Sequence, residues 1–582
     1  MRLIHSIRDI LIHHRPGLPS ALLTALLTAL CIGLVMGPTV SGGLFWDDHA
    51  NLGVAAFEWG PGGQLSWAFT SFHGGHYQPL TWLSWFLDHA LWGDNWRGWH
   101  VHNLVLHWAS AVLVAVLIRQ LAGARGRSVS PWIALLGALL WALHPMRLEN
   151  VAWLTERRDL LAALFYLAAV STWLYWRVHR RAVVYALFLA LAALSLLAKA
   201  WAITLPVVLP LIAWWLSPPA PRTHQTSHWL KARFRETAPL WPMALAAAMA
   251  ASQAQSGAGA MLSFEVYGLG ERLLQSGYGW VFYLAASLWP VDYRPLYELG
   301  PVYLFSPLFF GTALLTTLTL GGATLWARRL PGAFVSLAVY TVLLLPVLGI
   351  SQSGPQLVAL RYGYLASIPL VIALILWLSA TSGRHRPVSV LLPITLTLAL
   401  FAHAESRVWS DELTHWAHAT QLAPDSKWTW TNLAMTLERK KRMADAATAF
   451  QRALDIDAGF YPALEGRIRA LSAQGLTGEA HGALLDALMR YPYTADLHHL
   501  AALNAANRGD LGDAEHRFSE ALRLRPDDWR ARLDRASLRL HRGDFGGARR
   551  DIATIPPGSP GFARAEQLRA GLDSRAEPRS EP

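Results

Sequence analysis

The residues most able to do chemistry stand in short polar stretches bounded by long apolar ones. The sharpest is Trp46-Asp47-Asp48-His49. Adjacent carboxylates beside an apolar segment are costly unless they are hydrated, paired or used. One reading makes an aspartate here a helix cap that satisfies backbone amides. The other makes the pair a site with coupled titrations, because neighbouring carboxylates do not ionise independently. The loop that follows is rich in His and Trp, which tilts the balance toward a site. A second constellation runs from His144 through Arg147, Glu149 and Asn150 to Glu156, Arg157, Arg158 and Asp159. It can close on itself as an ion-pair network, or its arginines can offer the planar fork that matches a phosphate or pyrophosphate. The third is Gln352 through Tyr364, with Arg361-Tyr362 at the mouth of an apolar segment. There Arg361 either snorkels to lipid headgroups or holds a lipid phosphate. Tyr77-Gln78 and the trio His100, Asn103 and His107 complete the set. The trio has i, i+3, i+7 spacing and shares one helical face, which suits a hydrogen-bonded bundle interior better than a metal site.

Elements must hold these residues, and composition says which kind. Hydrophobic residues make up 53% of the 582 and charged ones only 15%, against about 25% in soluble domains; mean hydropathy is +0.26. The deficit lies in residues 1–404, whereas 405–582 reads as an ordinary charged soluble domain. The formal charge of +11 sits largely in short arginine clusters between apolar runs. That pattern is a topology signal, and no nucleic-acid-binding signature accompanies it. The single cysteine, Cys31, is inside an apolar run, which excludes a disulfide framework and a thiolate metal site.

Candidate spans fall near 18–40, 101–118, 131–145, 160–176, 182–198, 200–216, 239–255, 304–327, 332–350, 362–380 and 388–404, about eleven crossings of a ~30 Å hydrocarbon layer. The first is longer than a secretory h-region of about 7–15 residues and reads as a retained helix. The intervening basic clusters include Arg119/Arg125/Arg127, Arg177/Arg180/Arg181 and Arg328/Arg329. All of them share the side of the N-terminus if 276–291 does not cross. On that topology the expected location is a bacterial inner membrane with a cytoplasmic N-terminus. Loops 41–100, 144–159, 256–303 and 351–361 and the C-terminal part are then external, in the periplasm of a Gram-negative cell.

The C-terminal part is periodic. Ala446, Ala480, Ala514 and Ala548 recur every 34 residues, as do Phe450, Leu484 and Phe518, then Ala453, Ala487 and Ala521, then Pro492, Pro526 and Pro560. Small residues where two helices cross, with Pro closing the second helix, make the tetratricopeptide pattern. The expected organisation is an all-α polytopic membrane domain over 1–404 and a linker helix over 405–426. Repeats over 427–562 form an α-solenoid, followed by a helical cap and polar tail over 563–582. A solenoid offers a concave surface for a protein partner and no chemistry of its own.

The motifs form an ordered set. Asp47-Asp48 follows the first span; Tyr77-x-Pro79-Leu80-Thr81, His100-x-x-Asn103-x-x-x-His107 and His144-Pro145-x-x-x-Glu149-x-Val151-Ala152 come next; Arg157-x-Asp159-Leu160-Leu161 and Gln352…Arg361-Tyr362-x-Tyr364-Leu365 close it. Together they resemble the transmembrane and tetratricopeptide-repeat (TMTC-type) O-mannosyltransferases of the type C glycosyltransferase superfamily. Gln78, Trp153 and Leu360 depart from residues usual in that family. The resemblance implies transfer of mannose or a similar hexose from a polyprenyl-phosphate donor to a hydroxyl acceptor on a protein or glycan, with inversion at the anomeric carbon. It implies Asp47 as general base with Asp48 as alternative or support, and Glu149 and Asp159 as orienting carboxylates. Arg157 and Arg361 would then hold the phosphate, with His144, Tyr77, Gln78, His100, Asn103, Gln352 and Tyr362 around the substrates. No cofactor is certain from it, and a divalent cation stays open. A non-catalytic scaffold that uses the repeats, or a related lipid- or polysaccharide-modifying transferase, are the competing readings.

Overall fold

The computed structural model describes residues 18–217, 223–265, 267–290, 293–298, 304–351, 354, 356–381 and 386–576. Gln352, the basic N-terminal residues and the polar tail from 577 lie outside them. The chain divides into two compact units, Met1–His418 and Ala419–Pro582.

The first unit is built of helices because its sequence is mostly uninterrupted apolar residues with high helix propensity. In chain order its main helices are α1 (Leu18–Met36), α2 (Asp48–Leu52), α3 (Pro79–Trp92), α4 (Trp96–Ala124) and α5 (Pro131–Ala142). Then come α6 (Leu148–Ala152), α7 (Arg157–His179), α8 (Ala182–Ala198), α9 (Leu205–Leu216) and α10 (Leu269–Leu288). The last four are α11 (Pro307–Leu325), α12 (Pro331–Leu344), α13 (Ile368–Thr381) and α14 (Arg386–Val408). Among the described residues one short antiparallel ladder, β1 (Tyr297–Glu298) with β2 (Gln356–Val358), accompanies the helices.

Leu22, Leu26, Leu30 and Leu34 form an exposed stripe at i, i+4 spacing on α1, 56–66% accessible. Such a stripe suits lipid rather than water. In lipid the hydrophobic effect does not drive helices together, so close packing and buried hydrogen bonds do. Trp108 on α4 donates to the Ala25 carbonyl of α1 at 2.9 Å, Ser406 on α14 to Val35 of α1 at 3.0 Å, and Tyr340 on α12 to Trp280 of α10 at 2.7 Å. At Gly277 of α10 a Cβ would lie 2.6 Å from the Ala313 Cα of α11, so only glycine permits that approach.

Five helices are long and apolar enough to cross a membrane: Ala21–Ser41, Trp96–Ala124, Leu154–His179, Pro307–Leu325 and Pro387–Val408. Leu360–Ala366 and Ile368–Thr381, bent by 46°, make a sixth if read as one broken span. Four shorter apolar helices, Pro131–Ala142, Ala182–Ala198, Ala200–Leu216 and Pro331–Val347, coincide with further expected spans. The segment expected at 239–255 falls on the helix Leu240–Gly257, and residues 276–288 of the segment 276–291 fall in α10; neither helix is apolar enough for a full crossing. By length and composition, then, six helices at most qualify among the described residues, against about eleven expected from runs of about 20 residues. The difference lies in the shorter apolar helices of 10–17 residues, such as α8, which ends as expected at Ala198 where Lys199 is extended at φ −160°.

The second unit consists of helix pairs: Lys427–Arg439 with Met443–Ile456, Tyr461–Ala473 with Thr477–Arg490, Ala495–Asn507 with Leu511–Leu524, and Trp529–His541 with the shorter Phe545–Ala553, then Phe562–Ala576. Ala446, Ala480, Ala514 and Ala548 are fully buried. Each pair turns through a left-handed residue: Gly475, Gly509 and Gly543 have φ of 76°, 83° and 80°. In the first pair Lys441 occupies that position at φ 61°, a conformation glycine adopts without the Cβ penalty.

Candidate active site

The Asp47-Asp48 turn is set by an unusual backbone. Trp46 has φ 48°, a left-handed conformation that costs a bulky residue roughly 1–3 kcal/mol and tends to persist at functional sites. Ring contacts hold it: Trp46 stacks on Trp153 at 5.3 Å and 4° and meets the edge of Trp416 at 5.6 Å. The result separates the two carboxylates. Asp48 turns inward and is fully buried. It accepts from the Phe45 amide at 3.0 Å, the Thr155 amide at 2.7 Å and the Thr155 hydroxyl at 2.6 Å. It therefore fastens α2 to the segment leading into α7. Burial and the neighbouring Asp47 push its carboxyl up to about 8, against the pull of those donors.

Asp47 begins α2 but makes no side-chain capping bond. Its Oδ1 is buried without a hydrogen-bond partner. Burial pushes this carboxyl up; Arg158 draws it down, Glu156 pushes it up and Arg361 draws it down. Asp47 thus faces a charged cluster with one acceptor unfilled.

That cluster gathers at the start of α7, where helix amides favour carboxylates. Glu156 bonds Arg158 Nη2 at 2.6 Å and lies 3.4 Å from both Lys199 Nζ and Arg361 Nε. Asp159 lies 2.8 Å from Lys199 Nζ and accepts from Trp201 Nε1 at 2.6 Å and Asn150 Nδ2 at 3.1 Å. Glu149 accepts from the Arg361 amide at 3.0 Å and pairs with its guanidinium, which also lies over the Trp153 and Tyr362 rings at 5.3 and 4.9 Å. Burial pushes the Glu149 carboxyl up while Arg361 draws it down. Three cations therefore meet four carboxylates almost entirely out of water. Arg158 Nη1 is buried without a partner, and Lys199 keeps 23% of its side chain accessible.

Other expected residues serve the frame. Arg157 pairs with Asp88 and donates to Asn103 Oδ1 at 2.8 Å and the Trp99 carbonyl at 2.7 Å, so every nitrogen of its guanidinium is engaged. The guanidinium expected to hold a phosphate is thus fully engaged by the frame, and it is Arg158 that joins Glu156 and Arg361 in the cluster. Asn103 also donates to the Val151 carbonyl at 3.1 Å. His100 meets the Gly43 carbonyl at 3.1 Å, and His107 bridges Tyr364 OH at 2.7 Å and the Ala142 carbonyl at 3.1 Å. The shared face of the trio is thus a bundle interior. His144 accepts from the Met146 amide at 3.3 Å; burial, then Arg147, lowers its imidazole to about 3. Arg147 is buried, donating to Ser367 Oγ at 2.7 Å and the Trp141 carbonyl at 3.3 Å. Tyr77 contacts the Phe72 ring at 5.4 Å. Gln78 is buried with Nε2 unpartnered. The hydroxyl of nearby Thr81 donates to the Ala198 carbonyl at 3.1 Å, setting the start of α3 beside Lys199. Tyr362 accepts from Gln356 Nε2 at 3.2 Å. Among the described residues no group of three His, Cys, Asp or Glu side chains is arranged to hold a metal ion.

Sequence reasoning missed Lys199, Arg158's place in the cluster, Asp88 and His76. Lys199 carried a readable signal, a lone cation within an apolar run. His76 borders the cluster: burial, then Arg158 and Lys199, hold its imidazole well below the usual range.

The fold and site define an all-helical membrane protein with a tetratricopeptide array. A tetratricopeptide repeat family model matches residues 499–560. Human protein O-mannosyl-transferase TMTC4 is 39% identical over 99 residues, 16% of this chain and 13% of that protein. Protein O-mannosyl-transferase Tmtc2 of Drosophila melanogaster is 34% identical over 138 residues, 22% of this chain and 14% of that protein. A thermophilic TPR protein of Thermus thermophilus overlays with TM-score 0.26 at 21% identity, covering 31% of this chain and 98% of that one. The chain is similar to the TMTC-type O-mannosyl-transferases, over 13–14% of the length of the two named.

Proposed function

We propose that this protein is a membrane glycosyltransferase that moves a hexose, mannose or a close relative, from a polyprenyl-phosphate donor to a hydroxyl acceptor on the external face. The observation that carries the reading is the unfilled, buried Oδ1 of Asp47, which Arg158 and Arg361 act on and which faces their cluster. The short similarities to protein O-mannosyl-transferases support it.

In this mechanism Asp47 takes the proton of the acceptor hydroxyl, whose oxygen attacks the anomeric carbon from the face opposite the phosphate. The bond from that carbon to the phosphate oxygen breaks, and the polyprenyl phosphate leaves with the bonding electrons. A carboxyl raised by burial is a stronger base than one in water, and positioned base catalysis contributes about 10²–10⁴-fold. The free Nη1 of Arg158 and the ammonium of Lys199 supply donors for the departing phosphate, held in a water-poor site where such donors act strongly. Glu149 and Asp159 orient Arg361 and Lys199, and Asp48 holds the turn. A phosphate arriving among four carboxylates adds negative charge, and Glu149, raised by burial, is the group that absorbs it by protonation while Asp47 stays ionised as the base. No step requires a cofactor. The repeats grip the acceptor, which makes a polypeptide the favoured substrate class. The membrane is a bacterial inner membrane, with the N-terminus cytoplasmic and the repeats outside.

The test is to incubate the purified protein with a panel of polyprenyl-phosphate sugars and follow release of the lipid phosphate. Release by the wild type that vanishes in Asp47→Asn supports the reading and names the sugar. Absence of release with every donor would leave a scaffold for protein partners as the function.

A further inference from the structure

A cavity of about 610 Å³ opens at the opposite end of the bundle from the carboxylates. His100 and Arg125 mark the two ends: they are 25 residues apart along α4, about 37 Å at the helical rise. The cavity walls come from α4, α7, α9, α12 and α13 and are apolar, with Leu121, Val170, Ile212, Val339 and Ile372 among them. Its polar rim is different in kind. Arg125, Arg127 and Arg329 line it, all three are exposed, and none has a carboxylate partner among the described residues. Arg125 donates to the Trp215 carbonyl at 3.1 Å and lies over that ring at 5.6 Å; Arg329 lies over Trp326 at 5.1 Å. Trp215 and Trp377 line the same rim. Tryptophans at one level beside arginines mark a membrane interface.

The dimensions match one leaflet. The cavity follows α13 from Ile368 to Thr381, about 20 Å of helix, against about 15 Å of hydrocarbon per leaflet. An apolar slot of that depth under three guanidiniums that have no carboxylate partner among the described residues complements a molecule with an acyl chain and an anionic head. Basic pockets between membrane helices bind such headgroups. We infer that this cavity is a binding site for an anionic glycerophospholipid of the adjoining leaflet. The lipid phosphate lies among Arg125, Arg127 and Arg329, and an acyl chain lies between α9, α12 and α13. The inference is independent of the transferase reading, because the donor's phosphate is placed at the other end of the bundle.

The experiment uses full-length protein in non-ionic detergent, titrated with phosphatidylglycerol, phosphatidylcholine or polyprenyl phosphate and followed by native mass spectrometry and thermal unfolding. Phosphatidylglycerol should bind at least tenfold more tightly than phosphatidylcholine and raise the unfolding midpoint. Each single Arg→Gln change at 125, 127 or 329 should weaken it about fivefold, and the triple change about 100-fold. Ala373→Phe, which fills the slot, should weaken it with the arginines intact. Should the triple variant fail to fold, the exposed Arg127→Gln alone carries the test. Equal binding of the two phospholipids, or a preference that survives Arg127→Gln and Ala373→Phe, would overturn the inference. So would polyprenyl phosphate displacing phosphatidylglycerol from the cavity, which would assign it to the isoprenoid lipid.

Discussion

Asp48→Asn separates the two neighbouring carboxylates. Asp48 receives three donors, two on Oδ1 from Thr155 and one on Oδ2 from the Phe45 amide. An asparagine can turn its oxygen toward Thr155 and keep that pair, but its amide nitrogen then meets the Phe45 N–H, donor against donor. One buried donor left unmet costs about 1–3 kcal/mol. Asp48→Ala strands all three donors and should cost about three times as much. The folded-state carboxyl titrates near 8, above its range near 4 in an unfolded chain. The folded state therefore binds the extra proton, and that stability is present below about pH 4 and lost as pH rises through 8. Asparagine should flatten the dependence. Thermal unfolding in detergent from pH 5 to 9 reads both effects, and turnover should fall less than about tenfold because Asp48 touches no reacting atom. A variant of wild-type stability that has lost more than about 100-fold in turnover would make Asp48 the base and refute this division of roles.

Other changes test the surroundings. Because burial raises Asp47 and Arg158 lowers it, activity should rise with pH through a midpoint above the usual carboxylate value of about 4, and Arg158→Gln should move that midpoint further up; an unmoved profile would separate Arg158 from Asp47. Arg157→Gln leaves the buried Asp88 with His102 as its remaining ion partner, so the loss should stay below the roughly 3–5 kcal/mol of a fully stranded buried charge, and adding Asp88→Asn should restore part of the stability if the pair is structural. A reporter fused after residue 410 should be active only outside the cytoplasm; cytoplasmic activity would reverse the topology proposed here.

Much of the architecture was legible because it is periodic. The 34-residue recurrence of Ala446, Ala480, Ala514 and Ala548 lands on helix crossings that are fully buried, since only small side chains allow two helices to approach there. The three stretches singled out for chemistry also meet in space, through Asp48 with Thr155 and Glu149 with Arg361. Those contacts join residues 107 and 212 apart in sequence, and no local pattern announces them. Arg157 and Arg158 show the limit most clearly. Neighbours on a helix point about 100° apart, so sequence identified the pair as charged and could not say which one faces Asp88. Lys199 differs: as a lone cation between two apolar helices it was readable as unusual, but its partners Glu156 and Asp159 come beside it only in the fold.

The most direct test of the central claim is a kinetic split on Asp47→Asn, measured with the lipid-linked sugar that the wild-type protein accepts. Turnover should fall by about 10²–10⁴-fold while the Kd for the donor stays within a few-fold, because its phosphate is held by Arg158, Lys199 and Arg361. The contradicting result is turnover within about tenfold of wild type, or an activity loss explained entirely by weaker donor binding. Either would remove Asp47 from the chemistry and leave the carboxylate cluster a structural ion-pair network.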